Sequence, residues 1–393
     1  MQKSTECDIL EDKEELVFKY FFFYQGVYFM TDRKLRTEAF AKQGWGIFTH
    51  YIGYGKWDHN CTRSRFKTYK DWNDRVNTFN TDNYARTLHE VGANYAFFTV
   101  MQGAKYMCAP NDAFNRITGE KPGEACSERD LIADLIVSLK KYDIPLYLYY
   151  TGDGPYKDAV CGPKMGYYDR EVESVNMPFV KNWTEVLKEF AVRYGKDVHG
   201  WWIDGMFEYL GYEDPSLFIP YREAVLAGNP DAIVAYNNGV AQPDTKRPEV
   251  QKYLRSDMGP LERVRALEAV QDEDPAVFKA LSNRPRNSYR FSEYEDFTAG
   301  ETDDFVELPP EGGMVDGSRW HVLGFLGQYV NYSPIWYGGG WNCLGSRYSG
   351  EYMKNYVKTC NERGGVVSID CYLFDDGTFD EAQMDVVRKI SEK

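Results

Sequence analysis

The sequence predicts a single α/β domain, a (β/α)8 TIM-like barrel. Short apolar runs alternate with stretches of helical period from about residue 44 to the C-terminus, and eight of those runs have strand character. No Pro/Gly/Ser-rich linker divides them, so one domain is the simpler interpretation. Alternating strands and helices pair in parallel through right-handed crossovers, and eight units are enough to close a barrel. A doubly wound open sheet would give similar alternation and is the alternative.

The eight predicted strands are 44–52, 94–100, 145–151, 198–204, 232–237, 289–295, 328–332 and 365–371. The predicted helices between them are 81–91, 127–142, 182–194, 215–227, 349–363 and 380–393. Ser127 precedes two acidic residues at a helix start, and Gly92 and Gly364 stand where helices should end. We expect a lead-in segment at 1–40 that packs on the barrel, the barrel at 41–393, and long loops at 243–288 and 297–325.

Aromatic residues make up 16% of the 393 residues, with 31 Tyr, 23 Phe and 9 Trp. Aromatic faces stack on sugar rings, and phenol and indole groups hydrogen-bond to hydroxyls, so this composition suits carbohydrate binding. A densely packed core with Tyr at its edges explains the same composition.

The formal net charge is −14, and no Lys/Arg-rich block or basic helix face is present to neutralise phosphates. Nucleic acid is therefore an unexpected partner. No stretch approaches the roughly 20 apolar residues that span a bilayer, so we expect no membrane insertion. Acidic residues, not basic ones, precede the apolar run at 20–30, which argues against a signal peptide and favours the cytoplasm. If a leader was removed, the location would be periplasmic or secreted.

The eight cysteines are scattered, with no Cys-x-x-Cys pair and no His at metal-ligand spacing nearby. We expect free thiols, no metal site and no organic cofactor.

Three predicted strands end in polar residues, which is where a barrel builds its site. These residues are His50, Asp204 and Asn237, the last followed by Asn238. Asp204 follows three apolar residues and precedes Gly205, at the point where a buried strand opens into a loop. A carboxylate there can attack an anomeric carbon, or it can cap the next helix or close the turn.

Several stretches resemble, in order, the α-L-fucosidase family of retaining glycoside hydrolases. The run from Gly44 to Tyr51 is similar to the family's Phe-Gly-Ile-Phe-Ile-His-Trp-Gly strand, whose His binds the fucose ring, and this implies that role for His50. The Trp-Trp-Ile-Asp-Gly run at 201–205 matches the family's nucleophile strand, which implies that Asp204 is the nucleophile. Residues 82–100 resemble the family unit that follows the His strand, and residues 357–376 resemble the closing segment of the family, so the resemblance spans about 40–393.

The chain departs from the family after its second strand. The family's His-His pair followed by Asp-Gly-Phe is replaced at 100–106, where Gln102 could take the place of one His and Lys105 or Tyr106 could supply another donor. We also expect no counterpart of the family's common C-terminal β-sandwich within these 393 residues. The identity of the sugar is left open by these differences.

Retaining hydrolysis needs a second carboxyl about 5 to 5.5 Å from the nucleophile. The stretch Asp-Phe-Thr-Ala-Gly-Glu at 296–301 is the nearest match to the family's acid/base pattern Asp-Tyr-x-Thr-Pro-Glu, which nominates Glu301. Glu295 and Glu293 are rivals, and many acidic residues in this region must be ordinary solvated charges.

Further candidates for substrate contact are aromatic: Tyr51, Trp57, Trp202 and Trp336. Trp202 could form a sugar-facing wall beside the nucleophile, and His321 and the Trp/Gly-rich cluster 335–341 are additional candidates for the barrel mouth. Core packing explains aromatic residues at these positions nearly as well.

The sequence thus predicts a retaining, exo-acting, α-L-fucosidase-like glycosidase that acts on oligosaccharides or glycoconjugates by double displacement. One alternative is a carbohydrate-binding barrel with weak catalysis. Another is a hydrolase of the same fold acting on a different sugar or linkage, such as an α-galactoside or a fucosylated polymer cleaved internally.

Overall fold

A computed structural model describes residues 35–52, 71–102, 105–155, 158–166, 175–206, 214–239, 248–258, 290–302, 304–328 and 343–392. It also describes Arg33, Tyr212, residues 340–341 and scattered positions within 266–277. Two candidates for substrate contact, Trp57 and Trp336, lie outside these ranges.

Nine strands are described, seven of which form one parallel sheet in the order β5-β4-β3-β2-β1-β9-β8. The strands are β1 (Trp45–Thr49), β2 (Ala96–Thr99), β3 (Leu146–Thr151), β4 (Val198–Asp204), β5 (Ile233–Tyr236), β6 (Met314–Val315), β7 (Ser318–Arg319), β8 (His321–Phe325) and β9 (Val366–Asp370). The remaining two, β6 and β7, form an antiparallel hairpin. The first five predicted strands and the last one are confirmed, with ends that differ by at most three residues and with both ends of β4 as predicted.

Besides the helical residues 35–43, ten α-helices surround this sheet within the described ranges. They are α1 (Trp72–Asn77), α2 (Thr81–Val91), α3 (Asp112–Thr118), α4 (Leu131–Lys140), α5 (Cys161–Met165), α6 (Met177–Tyr194), α7 (Ile219–Gly228), α8 (Pro248–Gln251), α9 (Gly350–Glu362) and α10 (Glu381–Ser391). Gly92 ends α2 in the left-handed region, at a φ of 75°, as predicted. The start of α4 differs from the prediction, because Asp130 and not Ser127 accepts the hydrogen bond from the backbone N–H of Ala133. None of the helices in the described part of the chain is long and apolar enough to cross a membrane.

The six cysteines within the described ranges are free thiols, as expected, and five of them are buried. Cys7 and Cys61 lie outside those ranges.

The prediction of a fully closed eight-stranded barrel is wrong. Residues 290–295, predicted as a strand, form turns, and the backbone N–H of Glu295 donates to the carbonyl of Ser292 at 3.2 Å. The aromatic residues Tyr289, Phe291 and Tyr294 give this stretch the composition of a strand, although they do not alternate strictly with polar residues. The strand β8 lies instead within 297–325, which was predicted as a loop. Most of the predicted strand 328–332 lies outside the described residues.

A segment at 296–302, called the bridging segment below, lies between the edge strands β5 and β8. Its first residue, Asp296, donates its backbone N–H to the carbonyl of Val234 at 2.7 Å. On the other side, Leu323 of β8 donates to the carbonyl of Gly300 at 2.9 Å and accepts from Thr302 at 2.8 Å. The segment pairs through isolated bridges and not a continuous ladder. The fold is therefore barrel-like, with seven regular strands and an irregular connection between the edges.

Side chains of the strands alternate between two layers, as the period of two requires. In β4, Trp202 belongs to the inner cluster of side chains, whereas Trp201 and Ile203 pack in the outer cluster beneath the helices. Asp204 follows Trp202 by two residues, so it lies on the inner face at the C-terminal end of the strand. Burial of both faces explains why the strands are nearly continuous apolar runs.

The helical residues 35–43 fill one end of the inner layer with the ring of Phe40. This ring lies 5.1 Å from that of Tyr95, 5.0 Å from that of Phe297 and 5.7 Å from that of His321. The predicted boundary between residues 40 and 41 thus falls inside a helix that is part of the core.

Candidate active site

Polar side chains gather where the inner faces of the strands reach their C-terminal ends. Asp204 ends β4, Asp370 ends β9, His50 follows β1, Asn237 follows β5, and Glu301 lies in the bridging segment. In barrel-like α/β folds this edge carries the active site. The predicted candidates His50, Asp204, Asn237 and Glu301 all lie at this edge.

Each carboxylate oxygen of Asp204 accepts a hydrogen bond. The hydroxyl of Tyr149 donates to Oδ2 at 2.6 Å, and the side-chain amide of Asn237 donates to Oδ1 at 2.7 Å. Burial raises the pKa of Tyr149 well above its ordinary value, and the charge of Asp204 raises it further. The phenol therefore stays protonated at any working pH and remains a donor to the carboxylate.

The same Asn237 nitrogen, Nδ2, also donates to Oε2 of Glu301 at 2.6 Å. Because one nitrogen contacts both carboxylates, their nearest oxygens are separated by no more than the sum of the two distances, about 5.3 Å. Retaining glycosidases place their two carboxyl groups about 5 to 5.5 Å apart, whereas inverting enzymes need about 6.5 to 9.5 Å to admit a water. The upper bound of about 5.3 Å lies below the separation that inverting enzymes need.

The bridging segment that carries Glu301 is held in place by a buried ionic cluster. Asp296 is fully buried and accepts hydrogen bonds from the guanidinium groups of Arg36, at 2.8 Å, and Arg222. Its Oδ2 also accepts the backbone N–H of Val234 at 3.0 Å. These contacts tie the segment to β5 and therefore place Glu301 beside Asn237.

His50 is oriented by a carboxylate that the sequence analysis did not nominate. Its Nδ1 lies 2.7 Å from Oδ1 of Asp370, which is buried. The ring of His50 also lies edge-on to the ring of Trp341, at a centroid distance of 5.7 Å. Trp341 belongs to the predicted cluster 335–341. Asp370 ends the apolar run Val-Val-Ser-Ile-Asp, so the rule that found Asp204 would also have found Asp370.

Two more residues were missed. Tyr149 lies in the aromatic run of β3. It differs from its aromatic neighbour Tyr150 only because alternate residues of the strand face inward. Asp153 follows β3, is buried, and accepts a hydrogen bond from the hydroxyl of Thr151. A Cβ added to Gly205, the residue after the nucleophile candidate, would lie 2.8 Å from the carboxyl carbon of Asp153. Asp153 therefore borders the site as a fourth carboxylate, beside Asp204, Glu301 and Asp370.

The rivals of Glu301 lie elsewhere. Glu293 is exposed, and its backbone carbonyl accepts from Arg33 at 2.5 Å. Glu295 is fully buried, and its Oε1 accepts the backbone N–H of Phe291 at 3.0 Å. Burial raises the pKa of Glu295 well above its ordinary value. These surroundings give Glu295 no open path to a substrate, so Glu301 is the better candidate.

Two predicted substrate contacts are corrected by their packing. Tyr51 is only 1% exposed, and its ring packs edge-on to Phe79 in the outer layer while its hydroxyl donates to the backbone carbonyl of Arg75 at 3.3 Å. Trp202 is 2% exposed and stacks on Tyr149 at 5.5 Å. Trp202 therefore forms the floor beneath the site and not a sugar-facing wall.

His321 is not at the mouth either. It is buried within the inner layer, where Nε2 lies 2.7 Å from the hydroxyl of Ser368. Burial lowers the pKa of His321 to about 4, so the ring is neutral near pH 7. Gln102 is half-buried just beyond the end of β2, and its predicted role in binding stays a prediction.

Within the described ranges, no group of three or more His, Cys, Asp or Glu side chains is arranged to hold a metal ion.

The fold resembles solved structures of fucose-active enzymes. MfFcnA4, an endo-fucoidan hydrolase from glycoside hydrolase family 107, matches with a TM-score of 0.56 and 12% identity over 91% of this chain and 53% of its own. A second endo-fucoidan hydrolase of that family has a TM-score of 0.55 and 15% identity over 89% of this chain and 90% of its own. An α-L-fucosidase of family GH29 from Bacteroides thetaiotaomicron has a TM-score of 0.52 and 13% identity over 90% and 72%.

This chain spans about half the length of MfFcnA4. At such low identities the likeness establishes a shared fold. No protein-family model matches the sequence, and no curated protein has significant similarity to it.

Proposed function

We propose that the protein is a retaining, exo-acting glycoside hydrolase of the α-L-fucosidase type. The observation that carries this proposal is the carboxylate pair of Asp204 and Glu301, held within about 5.3 Å by the shared amide of Asn237. The pair lies at the C-terminal edge of a barrel-like sheet, and the fold is similar to structures described as α-L-fucosidases and endo-fucoidan hydrolases.

In the first step, a carboxylate oxygen of Asp204 attacks the anomeric carbon of the sugar. The bond from that carbon to the leaving oxygen breaks, its electron pair goes to that oxygen, and the carboxyl proton of Glu301 is transferred to it. In the second step, Glu301 takes a proton from water while the water oxygen attacks the anomeric carbon. The bond to Asp204 then breaks, and the sugar is released with its configuration retained.

The remaining residues of the site orient the reactants. Tyr149 donates to the nucleophile and limits its rotation. Asp370 fixes the ring of His50, whose proposed role is to hydrogen-bond to sugar hydroxyls. No cofactor enters these steps, and the proposed substrates are oligosaccharides or glycoconjugates.

A second candidate within the same chemistry is internal cleavage of a fucose-containing polysaccharide. The likeness to the two endo-fucoidan hydrolases favours it, because those structures match this chain at TM-scores of 0.56 and 0.55. A non-catalytic carbohydrate-binding barrel is the alternative from another class, motivated by the missing His-His pair.

The test is turnover of aryl α-L-fucosides, aryl α-galactosides and fucan oligosaccharides, with NMR of the first-formed anomer. We expect hydrolysis of a fucoside with retention. Asp204→Asn should lower kcat roughly 10³-fold or more, and Glu301→Gln roughly 10²- to 10⁴-fold for substrates with poor leaving groups. Asp231→Asn, an exposed carboxylate at the opposite end of β5, should leave kcat unchanged.

Chemical rescue by azide is a second test of which residue is the acid/base. It should restore activity to Glu301→Ala by forming a glycosyl azide of retained configuration, since azide replaces water without needing a base. If azide restored activity to Asp153→Ala and not to Glu301→Ala, Asp153 would be the acid/base. Binding of fucosides without turnover of any of them would favour the carbohydrate-binding alternative.

A further inference from the structure

We infer that Asn237 is the positioning residue of the carboxylate pair and that it fixes the acid proton on Oε1 of Glu301. This inference rests on the proposed function and goes beyond it, because it assigns one oxygen to the proton transfer. It also changes the predicted role of Asn237, from a contact with substrate to a support for both reacting groups.

The orientation of the Asn237 amide is set by the chain itself. The backbone N–H of Gly239 points at Oδ1 of Asn237 at 3.2 Å. An N–H can only donate, so the atom facing it must be the oxygen, and the NH2 group must face the two carboxylates. The flip ambiguity that attends most asparagine side chains is removed here.

The backbone of Asn237 is equally constrained. Its N–H donates to the carbonyl of Ile203 in β4 at 2.7 Å, and its carbonyl accepts from Met206 at 2.9 Å. The residue is buried, with 2% of its surface exposed. The side chain therefore leaves from a fixed point between the strand of the nucleophile and the bridging segment.

The two hydrogens of the NH2 group serve two acceptors, Asp204 Oδ1 at 2.7 Å and Glu301 Oε2 at 2.6 Å. A neutral carboxyl has one carbonyl oxygen and one hydroxyl oxygen, and the carbonyl oxygen is the better acceptor. Because Asn237 donates to Oε2, that oxygen keeps carbonyl character when Glu301 is protonated. The proton is therefore placed on Oε1.

This placement holds through the catalytic cycle. Oε1 releases its proton to the leaving oxygen as the glycosidic bond breaks, and later takes a proton from the attacking water. Oε2 accepts the same N–H in both states, so Glu301 keeps its position while its charge alternates.

The test compares Asn237→Asp with Asn229→Asp. Both replace a buried amide by a carboxyl of the same shape, but Asn229 lies before β5 at the other end of the strand, where its Nδ2 donates to the carbonyl of Val198 at 3.1 Å. The control therefore measures the structural cost of the substitution away from the site. Circular dichroism and thermal unfolding of both variants check that each folds.

The readout is kcat/KM for aryl α-L-fucosides that differ in leaving group. A dinitrophenyl group leaves without protonation, whereas a phenyl group depends on the acid. For Asn237→Asp we expect a loss on the phenyl fucoside roughly 10- to 100-fold greater than the loss on the dinitrophenyl fucoside, since the variant lacks the amide hydrogen bond that stabilises the negative charge developing on Glu301 as its proton is transferred. For Asn229→Asp the two losses should be equal.

Equal losses on both substrates for Asn237→Asp would overturn the inference while leaving the proposed function intact. Absence of any turnover by the wild-type protein would overturn the proposed function and this inference with it.

Discussion

The buried ring of His321 gives the protein a predictable sensitivity to acid. Nδ1 lies 3.0 Å from the carbonyl of Thr298 and 3.1 Å from that of Ala299, so this nitrogen carries the proton, and Nε2 accepts from Ser368. Burial lowers the pKa of His321 from 6.5 to about 4, although the two carbonyls act in the opposite direction. Between pH 6.5 and about pH 4, His321 is protonated in the unfolded chain but neutral in the folded protein. Stability is therefore fully present above pH 6.5 and falls as the pH drops toward 4.

The lowering from 6.5 to about 4 corresponds to about 3 kcal/mol, at ~1.4 kcal/mol per pKa unit. Roughly 2 kcal/mol of this is lost by pH 5. The perturbation is His321→Gln, and the assay is urea unfolding of wild type and variant at pH 7 and pH 5. Glu295, whose pKa is raised by burial, titrates in the opposite sense but is common to both proteins and cancels.

We expect the stability advantage of the wild type over His321→Gln to shrink by about 2 kcal/mol between pH 7 and pH 5. A difference that stays constant within roughly 0.5 kcal/mol would refute the reasoning, because it would mean that the ring titrates alike in the folded and unfolded states.

Two further predictions concern the surroundings of the nucleophile. Tyr149→Phe removes the 2.6 Å hydrogen bond to Asp204 and should lower kcat/KM on an aryl fucoside roughly 10- to 100-fold, since hydrogen bonds to charged groups contribute about 1.5 to 3 kcal/mol; a change below about threefold would contradict this. Gly205 and Gly312 both have a positive φ, of 70° and 86°, so alanine is strained at either position. The added Cβ would lie 2.8 Å from the carboxyl carbon of Asp153 at position 205, whereas nothing lies within 4 Å of it at position 312. Urea unfolding should show a larger loss of stability for Gly205→Ala, by about 1 to 2 kcal/mol, and equal losses would show that Asp153 moves aside freely.

Most of the regular strands could be predicted because they are short apolar runs separated by helices with clear end signals. The region after β5 could not. The bridging segment is held by the charge contacts of Asp296 with arginines at positions 36 and 222, which are distant in sequence. The strand β8 is a run of five residues that follows an acidic stretch rich in Gly and Pro, where loop composition dominates the signal.

The candidate site shows the same division. Asp204 and His50 were found because polar residues that end apolar strands stand out in the sequence. Asn237 connects Asp204, 33 positions before it, to Glu301, 64 positions after it, and no local pattern encodes this connection. Tyr149 could be identified only from the inward parity of β3, because its neighbours in the strand are also aromatic.

The account depends most on Asp204 as the nucleophile, and covalent trapping tests this directly. The protein is incubated with a 2-fluoro-fucosyl donor, digested and analysed by mass spectrometry, with Asp204→Asn as the control. We predict one fluoro-fucosyl label on the peptide that contains Asp204, and no label on the variant. A label on Glu301, Asp153 or any other residue would contradict the assignment.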